Sequence, residues 1–135
     1  MRNRLLEWAG AVLFGVSFAL PCTAAQDVES HLKAVAGRLN QSLPRVVDSE
    51  TRADKVTVEP GPKFLYHFTL LSGNNGEPAR RLSSGSLASE LKTKICSAPE
   101  MRPMLSTGAT LGYIYSAGDG SNVGAVYVSP RECGL

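Results

Sequence analysis

Hydrophobic and polar positions alternate with a period of two towards the C-terminal end of the chain. Residues 111–115 and 123–128 are β-rich runs flanking Asp119-Gly120. That dipeptide suits a tight hairpin turn in which both central residues tolerate positive φ. With the turn centred there, Leu111 faces Val128, Tyr113 faces Val126 and Tyr115 faces Gly124. Cross-strand partners share a sheet face, so Leu111, Tyr113, Tyr115, Val126 and Val128 make one apolar face. The opposite face, with Thr110, Gly112, Ile114, Ser116, Ala125 and Tyr127, is mixed. A second pair of strands is expected upstream. Residues 55–59 alternate with Val56 and Val58 inward, Pro60-Gly61-Pro62 turns the chain, and residues 64–71 put Phe64, Tyr66, Phe68 and Leu70 on one face. Leu65, His67, Thr69 and Leu71 share the other. The aromatic face is expected to pack on helices.

The period changes to that of a helix in residues 27–43, where Val28, Leu32, Val35, Leu39 and Leu43 fall on one side. Asp27 and Glu29 sit where a helix dipole favours acids. Gly37 weakens the helix and Pro44 ends it. A second helix is expected from a Ser86 cap through Cys96, burying Leu87, Leu91 and Ile95. Ser97 and Glu100 form a capping box for a short helix over 99–105, limited by Pro103 and ended by Gly108. The charged run RVVDSETRAD, residues 45–54, reads as an irregular connector, and residues 72–85 as a long polar loop. The element order is α-β-β-α-(short α)-β-β. It predicts an α+β fold: a four-stranded antiparallel sheet of two hairpins, with helices packed on one face.

The N-terminal residues have a different character. Arg2 and Arg4 precede an apolar run over residues 8–20, Pro21 breaks it, and Thr23-Ala24-Ala25 supplies small residues for cleavage. This is the layout of a secretory signal peptide, and the run is short for a membrane span. Residues 1–25 are therefore read as a leader cut after Ala25, and residues 26–135 as one domain, periplasmic or secreted. Pro21 immediately before Cys22 argues against a lipoprotein signal, so no stable membrane anchor is expected after cleavage. The remaining chain carries 12 basic and 11 acidic side chains. Such a balance gives no field for nucleic acid. Two cysteines remain, Cys96 and Cys133. In an oxidising compartment an even pair reads as a disulfide. Closing a loop of this length stabilises by roughly 4 kcal/mol in the chain-entropy description.

Candidate chemistry is sparse. His31 and His67 come from different elements and neither belongs to a metal-ligand motif. Ser30/Lys33 and Ser89/Lys92 have the S-x-x-K spacing of serine acyl-enzymes, without their further motifs. Asp119-Gly120-Ser121-Asn122 lacks the spaced ligands of a calcium loop. No catalytic residue, metal or cofactor is assigned. The densest charge cluster is Arg45, Asp48, Glu50, Arg52 and Asp54. With Arg80 and Arg81 of the polar loop, it is the candidate partner surface.

The run Asn40-Gln41-Ser42-Leu43-Pro44, then Val47-Asp48, Thr51-Arg52, Tyr66, Cys96, Gly108, Tyr113, Tyr115, Gly120 and Cys133, resembles small exported bacterial proteins of uncharacterised function. The resemblance implies a cell-envelope protein and carries over no catalytic residue. The reading is an exported protein that acts by binding another envelope or secreted protein, in an accessory, chaperone-like or inhibitor/immunity role. The alternatives are a binder of a small molecule or cell-wall fragment on the aromatic face, or a small hydrolase using Ser89/Lys92 or Asp48/Glu50. The disulfide predicts that exported protein, denatured without reductant, takes up no thiol-alkylating reagent by mass spectrometry. Two alkylated cysteines would disprove it.

Overall fold

The computed structural model describes residues 23–135, with side chains from Asp27 onward. Most of the expected leader, including Arg2, Arg4, the apolar run and Cys22, lies outside the described residues. The expected cleavage after Ala25 falls in the first turn of helix α1, Thr23–Asn40. The chain continues through strands β1 (Arg45–Asp48), β2 (Thr51–Glu59) and β3 (Lys63–Leu70), then helices α2 (Glu77–Ser84), α3 (Ser86–Ser97) and α4 (Arg102–Ser106). Strands β4 (Thr110–Ala117) and β5 (Asn122–Val128) follow, and a 3₁₀ turn, Pro130–Cys133, comes last.

The fold is α+β, but the sheet differs from the expectation in size and direction. It has five strands in sequential order β1-β2-β3-β4-β5. All neighbours are antiparallel except β3 and β4, which are parallel. The residues joining β3 to β4 form the helices α2 to α4, the kind of long crossover that a parallel pair requires. The charged connector is not irregular: it supplies β1 and the first half of β2. No face of β1 is buried, and Thr51 and Ala53 are too small to stand out as inward positions beside Arg52 and Asp54. The polar loop likewise contains α2, started by Glu77-Pro78 and closed by Gly85 at φ +83°.

The caps also differ. Gly85, not Ser86, occupies the N-cap of α3. The Ser97 hydroxyl donates back to the Thr93 carbonyl at 2.6 Å, so it is still part of α3 and caps nothing. The β4–β5 register is as expected, with Leu111 opposite Val128, Tyr113 opposite Val126 and Tyr115 opposite Gly124. The turn is a three-residue one. Gly120 N–H donates to the Ala117 carbonyl at 2.9 Å, and Ala117 N–H to the Ser121 carbonyl at 2.8 Å. Only Gly120 takes a left-handed φ, +87°, among the turn residues. Asp119 stays at negative φ, and its carboxylate accepts the Ser121 N–H and hydroxyl. Those two bonds hold its pKa below the usual value.

The core lies on one side of the sheet. Leu32 and Ala36 of α1, Ile95 of α3 and Leu105 of α4 pack on Val56, Phe64, Leu111, Val126 and Val128. A second cluster, Leu70, Ala79 and Tyr115, lies under α2. Cys96 and Cys133 join α3 to the C-terminal turn, with the sulfurs 2.04 Å and the Cα atoms 5.1 Å apart. A Lys92–Glu132 ion pair at 3.4 Å accompanies them.

One contact fixes the end of α1. The helix tightens into i→i−3 hydrogen bonds over Gln41, Ser42 and Leu43. Asn40 then turns its amide onto β2 beyond the end of β1. It accepts the Val56 N–H at 2.8 Å and donates to the Val56 carbonyl at 2.9 Å. Val56 is buried, so these backbone groups have no ready water to replace the amide. Asn40→Ala is expected to lower unfolding free energy by about 1–3 kcal/mol. Ser42→Ala, at an exposed hydroxyl on the same turn, should change it by less than about 0.5 kcal/mol. Chemical denaturation of the two variants checks this.

Candidate functional site

Parallel pairing sets β3 and β4 side by side with Tyr66 opposite Tyr113 and Phe68 opposite Tyr115. Paired side chains lie over one another on the same face. The Tyr66 and Tyr113 rings are 5.1 Å apart with planes 15° from parallel, and Phe68 and Tyr115 are 5.2 Å apart at 18°. Phe68 also stacks on Tyr113 at 6.0 Å, and Phe64 meets Tyr66 edge-on at 5.3 Å. Each such contact contributes about 0.5–1.5 kcal/mol beyond burial.

The stack is covered at its ends and open in its middle. Phe64 is fully buried in the main core, and Tyr115 is buried in the cluster under α2. Between them Tyr66, Phe68 and Tyr113 form the floor of a groove of about 300 Å³. One wall is Leu39, Ser42 and Leu43 at the end of α1. The other is Arg45 and Val47 of β1, with Ala53 and Val56 of β2 below. A second depression of about 190 Å³ adjoins it, sharing Val47 and Phe68 and continuing past Asp48 and Thr51 to Pro78, Arg81, Leu87 and Tyr115. Leu39 and Val47 are exposed along this trough.

The electrostatics are those of a half-dry aromatic surface. Burial raises the pKa of Tyr66 and raises that of Tyr113 far above the tyrosine norm, with the two neighbouring tyrosines adding to the effect at Tyr113. Burial pushes Tyr115 up to about 12; Arg81 opposes this and Asp48 adds to it. The trough presents apolar side chains and ring faces, with three tyrosine hydroxyls as polar handles. It is suited to receiving apolar side chains.

The structure divides the expected partner surface. Arg45, Asp48 and Arg81 line the trough. Asp48 accepts the Glu50 N–H at 2.8 Å, and Glu50 accepts the Ser72 hydroxyl at 3.3 Å, both around the β1–β2 turn. Arg52 and Asp54 pair with each other at 2.6 Å and share Thr69, on the opposite face of the sheet. Arg80 bonds the Asn75 carbonyl and faces Glu77, while Arg81 pairs with Glu90 of α3. The hydrolase candidates are engaged elsewhere too. Lys33 pairs with Glu29 and Lys92 with Glu132. Asp48 and Glu50 are committed to separate turn contacts. His67 hydrogen-bonds Thr57 at 2.7 Å on the open face, its pKa lowered by burial and then by Lys55.

Sequence spacing places Leu39 and Leu43 on a helix face and Val47 in a connector, with no sign of a site. The aromatic stripe is the available signal; the helices cover its two ends and leave its middle open. Among the described residues no helix is long and apolar enough to cross a membrane. No group of three or more His, Cys, Asp or Glu side chains among them is placed to hold a metal ion.

No protein-family model matches the chain, and no curated protein matches it in sequence. Solved structures do share the fold. A Pseudomonas aeruginosa protein described as secreted superposes with a TM-score of 0.72 at 21% identity, over 84% of this chain and 99% of that one. The pilotin EpsS of the Vibrio vulnificus type 2 secretion system gives 0.65 at 16% identity, covering 84% and 97%. The type II secretion system pilotin AspS of Vibrio cholerae gives 0.62 at 15% identity, covering 82% and 96%. At these identities the likeness is one of fold.

The raised tyrosine values carry a pH dependence. Unfolded tyrosine ionises near 10.0, and folded Tyr115 near 12. Folding thus favours the protonated ring: its contribution is complete below pH 10 and is lost as pH rises through 12. Stability by denaturant titration is expected to fall between pH 10 and 12. Tyr115→Phe should make that fall shallower, the remainder coming from the raised Tyr66 and Tyr113, and an unchanged slope would contradict it.

Proposed function

We propose that this chain is an exported, non-catalytic envelope protein that binds another protein through the aromatic trough. The observation that carries the reading is the open middle of the stack. Tyr66, Phe68 and Tyr113 are left half-buried between α1 and β1, beside exposed Leu39 and Val47. A water-facing apolar trough of this kind marks an interaction site in a small domain. Two proteins of the same fold are pilotins of type II secretion systems. That likeness supports a component of an envelope assembly as the partner, in an accessory role. The leader expected over residues 1–25 fits the same compartment. The engaged state of Lys33, Lys92, Asp48 and Glu50 gives no support to the hydrolase alternative.

The partner's anchoring groups are expected to be aliphatic or aromatic side chains lying across the three rings. Arg45 and Asp48 at the rim add charge selection. A photo-crosslinking amino acid placed at Leu39, on the trough wall, should capture one dominant envelope protein in the producing cell. The same group at Tyr127, exposed on the opposite face, should not capture it. Leu39→Glu should reduce the amount of that complex at least tenfold, because an ionised carboxylate would be buried against apolar groups. Equal capture at Leu39 and Tyr127 would refute the trough. Capture of a glycan or small molecule at Leu39, and of no protein, would turn the reading to a cell-wall fragment.

A further inference from the structure

The two halves of the trough differ in charge. The larger half, about 300 Å³, is lined by Arg45 and otherwise by apolar groups, hydroxyls and ring faces; no carboxylate lines it. Arg45 is exposed on β1. Arg38, also exposed, stands in the last turn of α1, next in sequence to the wall residue Leu39. Neither arginine takes part in an ion pair among the described residues. The smaller half holds both signs. Asp48 lines it, and so does Arg81, which is paired with Glu90.

The acidic groups of the neighbouring elements are engaged elsewhere. Asp48 lies three residues along β1 from Arg45, roughly 10 Å in an extended strand, and accepts the Glu50 N–H. Asp54 is bonded to Arg52 and Thr69 on the opposite face of the sheet. Glu29, in the first half of α1, is paired with Lys33. The mouth between α1 and β1 thus carries two arginines, and no carboxylate lines it. Residues 26–135 hold 12 basic and 11 acidic side chains, so this excess of positive charge is local.

Such a mouth discriminates between partners by charge. An arginine lays its stem along apolar surface and keeps its guanidinium at the wet edge. The planar fork matches a carboxylate with two parallel hydrogen bonds. Beside a half-dry aromatic floor the attraction is stronger than in open water. A lysine or arginine of the partner would meet like charge in the same place, which costs binding.

We infer that the segment held in the trough is acidic: Asp or Glu side chains flank its apolar anchors at the α1–β1 end and pair with Arg38 and Arg45. This rests on the reading of the trough as a protein-binding site and adds the chemistry of what it binds.

Peptide selection on the exported protein tests it. Short random peptides displayed on phage are selected on the immobilised protein. Those that fail to bind Leu39→Gln are kept as trough ligands, since that change removes apolar wall without adding charge. These peptides should combine aromatic or aliphatic residues with adjacent Asp or Glu. For a synthetic copy of the strongest, fluorescence anisotropy should show Arg45→Gln binding about fivefold more weakly. Binding should also weaken as salt rises from about 0.02 M to about 0.5 M. In Arg38→Glu/Arg45→Glu the preference should invert: the peptide with its acids replaced by lysine should bind that variant better than the original peptide does. The inversion itself shows that the variant is folded. Trough ligands without acidic residues, or with an affinity indifferent to both arginines, would overturn the inference and leave the trough reading standing. A selection that yields no peptide sensitive to Leu39→Gln would overturn both.

Discussion

The parallel pairing of β3 with β4 is the constraint on which the remaining architecture depends. Two adjacent strands running the same way cannot be joined by a hairpin. The residues between them must travel back along the sheet, and here they do so as α2, α3 and α4 on the face that carries Phe64, Leu111 and Val128. The same pairing brings Tyr66 beside Tyr113 and Phe68 beside Tyr115 without offset. The aromatic stack is thus a direct product of strand direction. It lies at the seam between two covers: α1, which arrives before the sheet and packs near β2, and the crossover helices, which cover β4 and β5. The trough is the part of the seam that neither reaches.

Parallel strands are usually buried on both faces, yet the second face here carries no helix among the described residues. The structure handles this locally. Leu65 is only 5% exposed on that face. It is packed so tightly over Gly112 that a Cβ there would sit 2.4 Å from Leu65 Cδ2 and 3.0 Å from the Tyr127 ring. A side chain at position 112 would therefore push Leu65 out of its place over the parallel pair. Away from that cap the face is antiparallel and polar. Arg52, Asp54 and Thr69 form one hydrogen-bonded group and Thr57 with His67 another. The charged residues of the expected partner surface are in part the water-facing side of β2.

What the sequence made legible follows from where burial is strong. The β4–β5 register was readable because Leu111, Tyr113, Val126 and Val128 alternate against a turn signal; of the stripe expected on α1, Leu32 is deeply buried, while Leu39 is exposed and Ala36, outside that stripe, is buried in its place. β1 was not readable, since a strand without a buried face has no period. Nor was strand direction: the strands alternate alike whichever way they run, and the long helical connection over residues 72–109 allows a parallel or an antiparallel neighbour. The site was half legible. Its rings were identified as one face, but whether helices cover a face depends on their spacing in three dimensions. Pairing also decided which charges reach it: Arg45, Asp48 and Arg81 do, while Arg52 and Asp54 are carried to the other side.

The trough proposed as a docking site is tied down at one wall as well as apolar. A wall formed by the last turn of a helix would ordinarily fray, because terminal carbonyls and their side chains lack partners. Here Asn40 clasps both backbone groups of Val56 at that turn, so Leu39 and Leu43 are held at a fixed distance from β1. The floor is equally fixed by stacked rings, and the disulfide ties the end of α3 to the C-terminal turn behind it. A preformed apolar surface spares a partner the cost of ordering it, and that cost is what most often separates weak from useful affinity. A catalytic site would need, beyond this, a nucleophile or acid–base pair aimed at a common point. The lysines and carboxylates that might have served are each held in contacts of their own. A trough that is aromatic along its floor and charged at its rim fits the proposed holding of a partner.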